Sequence, residues 1–179
     1  MSKIYLASPY GFSESTRRFL EELKTRLRNA GHDVKDPWEL GDKYLAEFRV
    51  RAGDPSSQPR IAELQKINRK IAEINSKAIY DSEIVVACLD GPDVDSGTAS
   101  EIGFAFAHKK RIFGYRGDFR LTGENEAALV NIQVQYWIEK SNGRILRTVP
   151  DLLAALTETK QNRRLRKRRV KGSSSEETG

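Results

Sequence analysis

The sequence predicts an α/β domain, a doubly wound parallel sheet of about five strands with helices on both faces. Three observations predict it. Short apolar runs alternate with longer segments of helical apolar spacing from Lys3 onward, the pattern left by parallel strands joined through helical crossovers. The run EIVVACLD, Glu83 to Asp90, is apolar at nearly every position, as a strand covered on both faces must be. A length of 179 residues with 38% hydrophobic content is enough for one core and does not call for two.

The elements follow in order. KIYLA, Lys3 to Ala7, is the opening strand. SPYGFSES is a loop in which Ser13 stands as N-cap, and Phe19, Leu20, Leu23 and Leu27 then recur at helical spacing before Gly31 stops the helix. HDVKDPW is a short second strand ending at Pro37. Residues 39–60 are mixed in pattern, and GDPSSQPR, residues 53–60, is a loop. Ile61, Leu64, Ile67, Ile71, Ile74 and Ala78 trace a long amphipathic helix that leads into the central strand, Glu83 to Asp90. DVDSGTASEIGFAFAHKK, Asp93 to Lys110, is loop and then helix; RIFGYR, Arg111 to Arg116, is a fourth strand. Glu124 to Lys140 is a helix carrying Leu129, Ile132, Val134, Tyr136 and Trp137. RILRTV is a fifth strand, and PDLLAALTETK opens a last helix with Pro150 in its first turn. This is the flavodoxin-like or Rossmann-like arrangement, in which ligands bind beyond the carboxyl ends of the strands. Two loops fall at that edge, SPYGFSE after the first strand and DGPDVDSGT after the central one.

Charge divides the chain. Of 31 Lys and Arg and 25 Asp and Glu, eight and two lie in residues 160–179, which leaves 23 of each in residues 1–159. The net charge of +6 therefore belongs to the tail. The expected organisation is a domain over 1–159 and a basic, disordered tail over 160–179, low in complexity. A basic domain would point to nucleic acid; here only the tail carries that option. Cys88 has no partner for a disulfide, sits in an apolar run, and fits a reducing, cytoplasmic setting. His32 and His108 stand far apart without a ligand pattern, so no metal is expected. The amino terminus is too quickly polar for a signal peptide, and no apolar run is long enough to span a membrane. Neither a P-loop nor a strand-borne G-x-G-x-x-G is found, so no nucleotide cofactor is expected.

The chemistry concentrates around Glu101. Thr98-Ala99-Ser100-Glu101 matches a capping box, with Thr98 as N-cap and Glu101 at N3. That reading alone needs no function. The loop before it, however, leaves the central strand, carries Asp90, Asp93 and Asp95, and includes Gly97, where backbone can approach a ligand closely. A carboxylate in a first helical turn is favoured in its ionised form by the dipole. Such a group can attack an anomeric carbon while a second carboxyl group serves the leaving group.

The same residues carry a family resemblance. DSGTASEIGFAFAHKKRIFGYRGDFR resembles the D-x-G-T-x-x-E-x-G-x-A-x-A-x-x-K signature of the nucleoside 2-deoxyribosyltransferases and their N-glycoside hydrolase relatives. IYLASP resembles their opening strand and LVNIQV their V-N-L-x element, so the likeness covers about Lys3 to Glu139. It implies that Glu101 is the nucleophile, that Asp95 engages the base and helps proton transfer, and that the Tyr5 hydroxyl holds the nucleophile. It implies that Asn131 reaches the sugar's 5′ side from a neighbouring subunit, and hence a homodimer or larger homo-oligomer. Two positions depart from the family. Glu83 replaces the usual aspartate opening the central strand, and Asn75 replaces an aspartate that contacts the sugar. An amide still bonds a hydroxyl but holds no charge. Ser8, Ser96 and Gly97 join the substrate-binding set, with Ser13 and Arg17 as further candidates for a 5′-phosphate.

Read without the resemblance, Tyr5 is a core aromatic, Asn75 the rim of a buried helix face and Asn131 a surface amide. Phe12 and Trp38 are loop and core residues that could also stack on a base. The expected activity is exchange of the base of a 2′-deoxynucleoside for a free base through a covalent deoxyribosyl-glutamate. Two alternatives stay open: N-glycoside hydrolysis of a nucleoside or its 5′-monophosphate, and nucleotide or RNA binding through the tail.

Overall fold

The computed structural model describes residues 1–51 and 58–173. β1 (Lys3–Ala7) leads through a 3₁₀ turn at Tyr10–Phe12 into α1 (Glu14–Asn29), then β2 (Asp33–Lys35), α2 (Pro37–Arg51) and α3 (Gln58–Asp81). β3 (Ile84–Cys88), α4 (Ser96–Ala107), β4 (Arg111–Tyr115), α5 (Ile132–Lys140), β5 (Ile145–Leu146) and α6 (Val149–Ser173) complete the chain. The five strands are all parallel, in the order β2-β1-β3-β4-β5. The strand order reverses direction between β1 and β3, and that crevice is where such sheets bind ligands.

Alternation along the strands builds two cores. Ile4 and Leu6 of β1, with Ile84, Val86 and Cys88 of β3, face α1 and α6. Tyr5 and Ala7, with Val85 and Ala87, face the side covered by α3, α4 and α5. A strand's side-chain period of two sets this division, so Tyr5 must point toward the layer that contains α4. The free thiol of Cys88 is wholly buried and pushed up to about 12 by that burial.

Three expectations need revision. The segment from residue 39 is not irregular but begins a helix at Pro37. Asp36 Oδ1 accepts from Trp38 N at 3.0 Å, and Pro37 fills the first helical position, where its missing N–H costs nothing. The helix predicted over 124–140 starts only at Ile132, because Asn131 caps it: its Oδ1 accepts from Gln133 N at 3.1 Å and Val134 N at 3.3 Å. Glu124, the predicted helix start, lies in the preceding loop and accepts from Ile132 N at 2.8 Å. The loop placed over 53–60 falls mostly in residues 52–57, outside the described residues, while Gln58 already belongs to α3. At the other end α6 continues into the basic segment as far as Ser173. No helix among the described residues is long and apolar enough to cross a membrane.

Candidate active site

A cavity of about 790 Å³ opens at the carboxyl end of β1 and β2, against α3 and the start of α4. Ser8, Asn75, Asp95, Ser96, Gly97 and Glu101 all line it. Six of the eight predicted site residues thus meet in one place. Tyr5 joins them from beneath.

Tyr5 is fully buried on β1, and its hydroxyl donates to Glu101 Oε1 at 2.5 Å. Burial, the Glu101 charge and this hydrogen bond all push the phenol far above its usual value, so it stays a donor. Glu101 is pushed up to about 7. Burial is the main cause; the Tyr5 hydrogen bond opposes it and the Asp95 charge adds to it. Glu101 Oε2 has no hydrogen-bond partner among the described residues. The carboxyl group is therefore held at one oxygen and open at the other.

The local cause differs from the predicted one. The N-cap of α4 is Asp95, not Thr98: Asp95 Oδ2 accepts from Thr98 N at 2.9 Å and from Thr98 Oγ1 at 3.1 Å. The helix starts three residues earlier than the predicted capping box, which moves Glu101 out of the first turn and into the second. The dipole effect fades within one turn. Desolvation wins instead, and it raises the carboxyl group rather than keeping it ionised. Gly97 sits where a Cβ would lie 3.1 Å from Asp95 Oδ2, so its bare backbone leaves room for the cap.

Asn75 reaches the cavity from α3, and its Oδ1 is buried with no partner. A buried acceptor left unpaired costs roughly 1–3 kcal/mol, and a ligand hydroxyl would relieve that cost. Ser8 is already engaged, its Oγ accepting from Tyr10 N at 3.1 Å. Arg17 also borders the cavity, with Nη2 donating to Gly11 O at 3.0 Å. Asn131 does not reach the cavity of its own chain. Besides capping α5 it donates through Nδ2 to Glu124 Oε1 at 2.7 Å.

The charged floor is not legible in the sequence, whereas Phe12 and Trp38, which could stack on a base, do stand at the cavity. Trp38 lines the cavity, donates from Nε1 to Ser8 O at 2.9 Å, and meets the exposed Phe12 edge-on at 4.5 Å between ring centroids. A Cβ on Gly11 would fall 2.2 Å from the Trp38 ring, so that ring position requires glycine. At the floor, Lys24 Nζ meets Asp36 Oδ2 and Glu39 Oε1, each at 2.9 Å, and Glu21 Oε1 at 2.6 Å. No cluster of three or more His, Cys, Asp or Glu among the described residues has the geometry to hold a metal. Farther out, Arg120 pairs with Asp118, while Arg116 is buried and donates to backbone carbonyls, among them Arg120 O at 2.9 Å.

The family model described as nucleoside 2-deoxyribosyltransferase matches residues 4–136, which include Tyr5, Asn75, Asp95, Glu101 and Asn131. The chain belongs to the nucleoside 2-deoxyribosyltransferase family. A conserved protein from Enterococcus faecalis V583 is similar in structure, with a TM-score of 0.64 and 25% identity over 89% of this chain and 99% of that one. A 2-deoxyribosyltransferase from Bacillus psychrosaccharolyticus has a TM-score of 0.61 and 20% identity, covering 85% of this chain and 90% of that one. A CMP N-glycosidase from Clostridium botulinum has a TM-score of 0.52 and 19% identity, covering 88% and 98%. These last two likenesses establish the shared fold. Among curated proteins, an uncharacterized protein of Schizosaccharomyces pombe is 28% identical over 125 residues, 68% of this chain. The match spans about half of that relative's length, 53%.

Proposed function

We propose that the protein is a nucleoside 2-deoxyribosyltransferase in which Glu101 is the nucleophile. The observation that carries the reading is the 2.5 Å Tyr5–Glu101 hydrogen bond, which fixes Glu101 in the wall of a cavity with ample room for a nucleoside. In the first step a Glu101 oxygen forms a bond to C1′ as the C1′–N bond to the base breaks. The base leaves with a proton delivered by the Asp95 carboxyl group or by solvent. In the second step a free base attacks C1′ and gives up its N–H proton to Asp95 or solvent, the glutamyl–sugar bond breaks, and the carboxylate is restored. Two inversions give net retention. Asn75 takes a sugar hydroxyl on its unpartnered Oδ1, and Trp38 with Phe12 forms the apolar wall for the base. No residue in this scheme requires a metal or organic cofactor.

The test is base exchange. Purified protein given a 2′-deoxynucleoside and a second free base should yield the new deoxynucleoside with retained configuration. Release of free sugar alone would replace the transferase reading with the hydrolase one. That second reading draws on Arg17 and the amino terminus of α4, which both border the cavity and suit a 5′-phosphate. A nucleoside 5′-monophosphate hydrolysed in preference to the nucleoside would establish it.

Because the attacking group must be ionised, kcat/KM should rise with pH through about 7, the value to which Glu101 is pushed. Tyr5→Phe removes the hydrogen bond that favours the ionised form, so the same limb should move up by about one pH unit. A limb unmoved by that change would remove Tyr5 from the role. Asn75→Ala should raise KM for the nucleoside by about tenfold, the equivalent of one lost hydrogen bond, without lowering the unfolding temperature, since it also removes a buried unpaired acceptor.

A homodimer completes the reading. Ile132 and Tyr136 of α5 are half exposed, at 53% and 50%, and Tyr136 meets Phe106 of α4 edge-on. Packing of that face on a second copy would carry Asn131 to the partner's cavity. Asn131→Ser retains an acceptor for the α5 cap but removes the amide donor. It should lower activity without lowering the unfolding temperature, and sedimentation should show dimers or larger.

A further inference from the structure

The opposite edge of the sheet holds a second and larger cavity, of about 930 Å³. Ile84 and Arg111, the first residues of β3 and β4, line it, so it lies at the amino ends of the strands, across the sheet from Glu101. His108, Lys109, Lys110, Arg111 and Lys160 converge there, against a single lining carboxylate, Glu83. The partners of two of these cations are neutral: Lys110 donates to the Tyr80 carbonyl, and Arg111 Nη1 to Thr159 Oγ1 at 3.0 Å. Among the described residues neither is held in an ion pair; the carboxylate on which Lys110 acts, Asp81, is itself paired with Lys77 at 2.8 Å.

Lys160 lies on α6, and α6 runs on from the cavity to Ser173. Between residues 160 and 171 the sequence has eight Lys or Arg and no acid. A helix rises about 1.5 Å per residue, so the part of α6 that carries this basic sequence is roughly 18 Å long. We propose that the amino-terminal edge of the sheet and the basic continuation of α6 form one surface that binds the phosphodiester backbone of a nucleic acid. A single free phosphate would need neither the width of the cavity nor the length of the helix. A lipid surface is disfavoured because the stretch offers only Leu165 and Val170 as apolar side chains. Helices that lie in a membrane interface present an apolar face.

The surface is separate from the catalytic cavity and does not depend on the proposed reaction. The test is fluorescence anisotropy of the full chain with a labelled 20-base-pair RNA duplex at about 50 and 200 mM salt. Contact with about four phosphates predicts roughly a 10²-fold loss of affinity between those concentrations. Lys110→Gln with Lys160→Gln should lower the slope of log affinity against log salt by about two. Arg166→Gln, Lys167→Gln, Arg168→Gln and Arg169→Gln together should lower it further. Thermal unfolding of each variant confirms that it folds. Absence of binding at the lower salt, or binding indifferent to salt, overturns the proposal. So does an undiminished slope in the Lys110/Lys160 variant, or tighter binding to phosphatidylserine vesicles than to the duplex.

Discussion

Glu101→Gln is expected to lower kcat/KM for base exchange by about 10⁴-fold, the scale on which removal of a nucleophile is felt, and to make the protein more stable. The two effects share one cause. Glu101 is pushed up to about 7, chiefly by burial beside Tyr5 and Asp95. In the unfolded chain the same group titrates near 4.3. Between those values the folded state holds a proton that the unfolded state has lost, so stability falls as pH rises through that window. Below pH 4 both states are protonated, and glutamine gains little. At pH 8 the wild type must bury an ionised carboxylate, and glutamine need not. The expected gain is about 1–3 kcal/mol at pH 8, or roughly 5 °C in melting temperature for a chain of this size. Tyr5 can still donate to the glutamine carbonyl, so the hydrogen bond survives. Thermal melts of both proteins at pH 4 and pH 8 check this. A variant that melts no higher than wild type at pH 8 would show that Glu101 is not strained by its site. Full activity in the variant would remove it from the mechanism.

Much of this site was legible in the sequence because it is local. Asp95 and Glu101, six residues apart, line one cavity, and the Tyr5 hydroxyl meets Glu101 from the neighbouring strand. What misled was the choice of N-cap. Asp95 and Thr98 are both good caps, and the sequence cannot say which starts the helix. That ambiguity of three residues reversed the predicted electrostatics of Glu101, from dipole-favoured ionisation to burial-driven protonation. The start of α2 was missed although Asp36-Pro37 is a start signal, because the apolar residues that follow do not keep a helical stripe. α5 was drawn too long because Leu129 and Val130 continue its apolar run into a loop where Glu124 folds back on the cap. Asn131 remains outside its own chain's cavity, and a sequence cannot show which surfaces of two copies meet. The charged floor was invisible for a different reason. Lys24 looks like any exposed lysine of an amphipathic helix, and only the folded chain brings Asp36 and Glu39 to it.

That floor carries the other large prediction. Lys24→Met should destabilise the protein by about 3–5 kcal/mol, the usual result of removing one member of a buried ion pair. Lys24 is 2% exposed and Asp36 0%. Burial pushes the Asp36 carboxyl up, against the pull of its hydrogen bond from Lys24. Without the lysine that opposition is gone, and the carboxyl moves further up. A raised carboxyl contributes stability at low pH that is lost as pH rises through its folded value. The defect should therefore be larger at pH 8 than at pH 4. Adding Asp36→Asn should recover most of the loss, since the amide keeps an acceptor for Trp38 N while discarding the unpaired charge. A double variant as unstable as the single one would show that methionine fails by packing, not by charge. The consequence reaches the catalytic cavity. Asp36 caps the helix whose first turn carries Trp38, and Trp38 ties back to Ser8 O at 2.9 Å. A shift in the floor moves the aromatic wall, so the single variant should raise KM for the nucleoside more than it lowers kcat, and the double variant should reverse that change along with the stability.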